Sequence, residues 1–472
     1  MRAAGQTVSP LVALAVPLVI STGCFALTLF VDRTLLLWHD FASAGAALAA
    51  GNLYWTAACL PVMAVGYLST IVAQAHGRGR EQEIGPAIWQ AVWLTFALVP
   101  ACVVGALIAG SLFASFGHAP SLAAAEASYF RWLMLVAPGA MLEAALSAFF
   151  VGRGRSRIVM QANLAATVVN LALDALLIFG LLGAPELGLV GAAVATAAAM
   201  WLKVAWYVAG LVRESGVGDP FGLRRWHFSA VRMRELLGGG GTLGVQQLVR
   251  SAAISAVLAV VGQIGAIELA ASSLVMSLVQ LATIPVVGLA TAVTVLSGQR
   301  YAERGQPRAC RAIVSSGLLI GLLTLGPIAT AAAAWPEAIV SLMAVGPAAD
   351  DIRGLLVIAR PLLLLGAVLL VLEMISQVMA AALRGLGQVR SLLVATLVAS
   401  ILVFAVLPLA RESLLPLWSL LPLWAALHAV ACFWHLARLP GGETTLPLPT
   451  LEAAGETTTE ATNDANVAAT AA

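Results

Sequence analysis

ALTLFVDRTLLLW, residues 26–38, is apolar on both sides of an aspartate and an arginine. It lies in an apolar run of about 28 residues that begins near Pro10. A helix of that length spans about 40 Å, enough to cross a bilayer with tilt. A charge within it costs about 2.5–3.5 kcal/mol near the bilayer centre, so Asp32 and Arg33 need a reason to be there.

The rest of the chain has the same character. Of its 472 residues, 61% are hydrophobic and 10% charged, and the mean hydropathy of +0.95 excludes an ordinary soluble domain. Twelve apolar stretches recur, at roughly 9–37, 45–73, 86–113, 122–150, 158–181, 189–212, 236–262, 268–298, 310–334, 352–382, 389–409 and 415–437. They run unbroken where barrel strands would alternate apolar and polar residues. The expected fold is an all-α polytopic membrane protein with about twelve transmembrane helices. Ser21-Thr22-Gly23-Cys24 faintly resembles a lipoprotein processing site, but the run continues apolar past Cys24 and reads as a span. The five cysteines show no disulfide framework and no metal-ligand spacing.

Arginine sets the expected orientation. Arg78 and Arg80, Arg153, Arg155 and Arg157, Arg213, Arg224, Arg225, Arg232 and Arg234, Arg300, Arg304, Arg308 and Arg311, Arg384 and Arg390, and Arg438 fall in alternate loops or at the last helix end. The positive-inside rule then places both termini in the cytoplasm. Trp38, Trp335 and Trp418 are expected at outer helix ends and Trp89 and Trp434 at inner ends, as interfacial belts.

Residues 213–235 form the longest hydrophilic stretch between spans. They separate a first lobe (1–212, helices 1–6) from a second (236–438, helices 7–12), and 439–472 reads as a disordered cytoplasmic tail rich in Thr, Ala and Glu. The halves echo each other. ALAAGNLYWTAACLPVMAVGYLSTIVAQAHGRGRE from residue 47 matches ELAASSLVMSLVQLATIPVVGLATAVTVLSGQRYAERGQ from residue 268, with Gln74 and Gln299 near the inner ends. GRGRSR at 152–157 matches RGLGQVR at 384–390. An even number of spans per half makes these parallel repeats, hence two pseudo-symmetric six-helix lobes, and such transporters bind substrate between the lobes.

The informative ionisable groups within spans are few: Asp32, Glu143, Asp174, Lys203, Arg250, Arg360 and Glu373. Each is costly unless paired or wet. Asn170 stands four residues before Asp174, on the same helical face, and can share a proton or cation with its carboxylate. Asp32 reads either as a titratable site in a wet cavity or as a local partner of Arg33, which can snorkel outward. Glu143 and Glu373 are candidate partners for Lys203, Arg360 or Arg250. Arg250 keeps its charge and so cannot cycle protons; it pairs with an acid or holds an anionic group. There is no G-x-x-x-x-G-K-[ST], no H-E-x-x-H and no G-x-S-x-G, which argues against ATP-driven transport and against an intramembrane enzyme. His428 and His435, seven residues apart, read as packing residues.

LAVPLVIS followed by FVDRTLLLW, ALAAGNLYWT, VAQAHGRGR and NLALDALLIFG with PELGLVGAAVAT resembles the multidrug and toxic compound extrusion (MATE) family over about 25–440. The resemblance implies alternating access between two lobes in a V, and efflux of amphipathic, often cationic compounds against inward H⁺ or Na⁺. It also implies that Asp32, Asn170 and Asp174 form a first-lobe cation site, with Na⁺ an option at Asp32 and Asp174. Some members carry a second-lobe acid where this chain has Arg250, so a Na⁺ site built on that acid is not expected. Glu143, Arg250 and Glu373 remain secondary charged residues of the cavity.

The expected protein is thus a monomeric secondary antiporter of the plasma membrane, a bacterial inner membrane. Its partners are the lipid bilayer and a small amphipathic substrate, with no nucleic acid and no cofactor beyond H⁺ or Na⁺ as coupling ion. The alternative is a flippase of the same superfamily, moving a lipid-linked sugar or phospholipid whose phosphate Arg250 would contact.

Overall fold

The computed structural model describes residues 2–116, 119–216, 218–304, 309–338, 349–410 and 412–439. The tail expected to be disordered lies, from 440 onward, outside them. Among the described residues the chain is helical and has no strand. Helices α1 (Arg2–His39), α2 (Phe41–Gly66), α3 (Leu68–Gly77), α4 (Ile84–Ala114), α5 (Pro120–Gly152), α6 (Ser156–Phe179) and α7 (Gly188–Ser215) build the first lobe. The second consists of α8 (Ala230–Ile264), α9 (Ala266–Ala282), α10 (Ile284–Arg304), α11 (Ala309–Ala334), α12 (Ala349–Gly385), α13 (Val389–Ala410) and α14 (Leu414–Ala437). Among the described residues, eleven spans are long and apolar enough to cross a membrane as they stand, α2 and α3 counting together, and α9 with α10 makes a twelfth.

That twelfth span is bent by 43°, where the sequence suggested one helix over 268–298. Pro285 explains the break: it has no N–H to donate, and its ring crowds the carbonyl four residues back. Thr283 covers the junction, its N–H bonded to the Val279 carbonyl at 3.0 Å and its hydroxyl to Gln280 at 2.8 Å.

The repeat seen in sequence reappears in packing. α5 lies against α2, α3, α4 and α7, while α12 lies against α9, α10, α11 and α14, so each is the central helix of its lobe. Both end in the same cap. Gly154 and Gly387 take positive φ (77° and 75°), and their N–H groups reach back to Val151 and Arg384, each at 2.9 Å. The next N–H in each case bonds one residue further in, Arg155 to Phe150 at 2.7 Å and Gln388 to Leu383 at 2.8 Å. Glycine suits this left-handed position because it has no Cβ to clash.

The lobes meet along α1, α2 and α3 on one side and α8, α10 and α11 on the other. Close approach needs glycine at some points: a Cβ on Gly240 would fall 2.2 Å from the Ala64 carbonyl, and one on Gly77 2.3 Å from that of Gln299.

The hydrophilic segment after α7 is strapped to the first lobe. Trp89 and Trp93 donate their indole N–H groups to the carbonyls of Leu223 (2.7 Å) and Trp226 (2.9 Å). Gln90 donates to His227 and accepts from the Ser229 N–H. Trp89 therefore has a bonding partner in the connector as well as a place near a helix end. Trp38 and Trp335 are exposed, in keeping with a belt, but Trp418 is not: it is fully buried in the second-lobe core and donates to Ser272 Oγ at 2.7 Å. The apolar sequence around it has no polar face, so its position along the chain could not tell a lipid-facing tryptophan from a core one.

Candidate functional site

α1 and α6 pack side by side, and polar side chains repeat along the seam. Asn163, Thr167, Asn170 and Asp174 follow one another at steps of four and three on α6, which brings them to one face. Asn163 Nδ2 donates to Ser21 Oγ of α1 at 2.8 Å. The hydroxyls of Thr28 and Thr167 are 3.2 Å apart, and Thr167 also reaches the Cys24 carbonyl at 3.4 Å. Further along the same seam the carboxyl groups of Asp32 and Asp174 face each other within side-chain hydrogen-bonding reach.

Asp32, Asn170 and Asp174 are 7%, 1% and 0% exposed. With both carboxyls ionised, one oxygen of Asp32, both of Asp174 and both amide atoms of Asn170 are buried with no hydrogen-bond partner among the described residues, and a proton held between the two aspartates would pair them. In a bundle made of apolar helices, so many unpartnered polar atoms in one place are costly. Two carboxylates and an amide carbonyl form the hard-oxygen donor set that suits a small cation, and the carboxylates equally suit a shared proton. The residues present therefore fit a proton or a small cation such as Na⁺.

The local alternative for Asp32 is not what the side chains do. Arg33 is exposed, and no ion pair joins it to Asp32 among the described residues. Tyr129 of α5, buried, lies in the neighbourhood of both aspartates. Sequence reasoning missed Tyr129, Ser21, Thr28, Asn163 and Thr167. A polar ladder at helical spacing on 163–174 is the signal that could have found the α6 members.

The other membrane charges are paired. Lys203 lies 3.6 Å from Glu143, both largely buried. Arg250 Nη2 donates to Glu373 Oε1, which also accepts from Gln377 Nε2 at 2.8 Å. Arg360 and Glu337 form an exposed pair at 3.7 Å, away from any buried site. His428 sits between hydroxyls, Ser376 Oγ 2.7 Å from Nδ1 and Thr396 Oγ1 3.1 Å from Nε2, and stacks on Trp424. His435 is partly exposed, so the two histidines do not share a site.

The MatE family model matches residues 12–176 and 243–409, once in each lobe. A probable multidrug resistance protein NorM from Xanthomonas axonopodis is 28% identical over 381 residues, covering 80% of this chain and 81% of that one. A NorM from Rhizobium meliloti is 29% identical over 323 residues, 67% and 68% of the two chains. Among solved structures, a MOP superfamily transporter from Pyrococcus furiosus superposes with TM-score 0.81 at 19% identity, over 91% of this chain and 95% of that one. With one family model matched in each lobe of this helical membrane fold, the chain belongs to the MatE family of multidrug and toxic compound extrusion (MATE) transporters.

Proposed function

We propose that the protein is a secondary active antiporter that exports amphipathic, cationic compounds across the plasma membrane, driven by entry of H⁺ or Na⁺ through the Asp32–Asn170–Asp174 site. The observation that carries this reading is the set of five unpartnered buried polar atoms on the α1–α6 seam. Such a site binds its ion from whichever side is open. If the ion favours one arrangement of the lobes and drug the other, the gradient is coupled to export. The ends of the bundle that carry the arginine-rich loops are assigned to the cytoplasm by the positive-inside rule. The names of the NorM relatives support multidrug efflux as the activity.

Efflux of ethidium from cells lacking their own pumps tests this reading. Export that stops on adding a protonophore assigns H⁺; export that survives it but stops on dissipating the Na⁺ gradient assigns Na⁺. Ethidium retained equally with and without the protein would rule the reading out.

A further inference from the structure

Between the lobes, against the second, lies a cavity of about 470 Å³ that the ion site does not use. Asn52 of the first lobe and Gln280 and Thr283 at the α9–α10 break border it, Arg250, Glu373 and Trp424 form its polar end, and aliphatic side chains such as Leu258 and Leu369 form the rest. Its charge is opposite in kind to that of the first lobe. Glu373 there faces two guanidiniums: Arg250 directly, and Arg384 through Gln377, whose Oε1 is 3.4 Å from Arg384 Nη2. The Nε of Arg384 is buried without a partner among the described residues. A guanidinium stays charged, so this network carries more positive than negative charge. His428 can only add to the positive side, since an imidazole between two hydroxyls is either neutral or cationic.

Arg250 is also turned to receive a ligand. Its bond to Glu373 uses one of five donors, and no other hydrogen bond of the guanidinium is present among the described residues. None of its atoms is among the buried unpartnered ones, so the remaining donors open to the cavity. The ring of Trp424 lies 5.8 Å from the guanidinium carbon and limits where it can swing. A planar fork of free donors at the end of an apolar cavity is suited to an oxyanion carried on an apolar body.

We propose that this cavity extends the substrate range beyond cations: it is a second subsite in which Arg250 takes the oxyanion, carboxylate or phosphate, of an anionic or zwitterionic amphipathic compound, with Trp424 and the aliphatic walls holding its apolar part. The proposal rests on the transporter reading above for its physiological meaning, but the binding itself does not.

The test uses purified full-length protein and three fluorescent probes of one shape: 1-pyrenebutyrate, its methyl ester and 1-pyrenebutylamine. The acid should bind about tenfold or more tighter than the ester. Arg250→Gln with Glu373→Gln leaves no buried charge unpaired in that pair and should bind acid and ester alike. Leu258→Trp, which narrows the cavity, should weaken both. Equal binding of acid and ester by the parent protein, or an acid preference that survives the double variant, overturns the proposal; so does acid binding unaffected by Leu258→Trp. Displacement of the acid by phosphatidic acid in nanodiscs, but not by phosphatidylcholine, would support the oxyanion site and name a lipid headgroup as its source. With no displacement by either, acid preference in the probes supports a soluble organic acid. Ethidium efflux is measured in parallel: its absence in the parent protein removes the antiporter reading and leaves the binding result standing.

Discussion

Gln299 of the second lobe donates its side-chain amide to the main-chain carbonyl of Gly152 in the first, at 2.7 Å. Gln74 of the first lobe returns the contact to Gly385 of the second, at 2.9 Å. The acceptors close the two central helices, and each glycine packs on the donor helix of its own lobe: a Cβ on Gly152 would lie 2.7 Å from Val72, one on Gly385 2.3 Å from the Thr294 carbonyl. The two sequence echoes thus meet in one reciprocal clasp at the arginine-rich end.

The clasp should set the resting equilibrium between closed and open forms of that end. Each hydrogen bond contributes about 0.5–1.5 kcal/mol, so losing both shifts the equilibrium by roughly 5- to 150-fold. Gln74→Ala with Gln299→Ala should raise the rate at which a cysteine introduced at Ser69 is labelled from the arginine-rich side, each single change giving a smaller rise. An unaltered rate in the double variant would mean that the clasp bears no load.

Gly77 makes a sharper case because the neighbour is backbone. Gly77→Ala places a methyl group 2.3 Å from the Gln299 carbonyl, which no side-chain rotation relieves. The same labelling assay should show an opened face in a protein that still folds. Normal closure would show that α10 can shift at no cost.

Arg250 and Glu373 test the pairing of buried charge. Arg250→Ala leaves the Glu373 carboxylate uncompensated, a loss of about 3–5 kcal/mol, and should sharply lower the yield of folded protein. Adding Glu373→Gln should recover much of it, and the coupling between the two changes measures the pair. Equal yields for the single and double variants would contradict the ion pair.

Trp418 is fully buried, so Trp418→Ala should cost about 3–5 kcal/mol, and Trp418→Phe, which loses chiefly the bond to Ser272, about 1 kcal/mol. A thermal melt in detergent orders the two. A Trp418→Ala protein as stable as the parent would return this residue to the membrane surface.

How much of this was legible in sequence depended on the cost of each residue in a membrane. Asp32, Asn170 and Asp174 stood out because charge and amide groups are expensive there and two of them shared a helical face. Ser21, Thr28 and Thr167 did not, since a hydroxyl within a helix commonly satisfies itself on its own backbone, as Thr22 does on Leu18 at 2.6 Å. Trp418 was misplaced because lipid and core are equally apolar, so no hydrophobic face marks the inside. Gln74 and Gln299 could be matched as repeats, but their acceptors are main-chain carbonyls on another lobe, which leave no mark in the sequence.

The central claim is that Asp32 and Asp174 together carry the coupling ion. Asp40 is the control: exposed between α1 and α2, it accepts from the Ser43 N–H at 2.9 Å and its hydroxyl at 2.8 Å, a capping role asparagine can also fill. The direct measurement is ethidium accumulation in liposomes holding purified protein, under an imposed H⁺ or Na⁺ gradient. Asp32→Asn and Asp174→Asn should each abolish gradient-driven accumulation, and Asp40→Asn should match the parent. Accumulation by Asp32→Asn at the parental rate would contradict the mechanism.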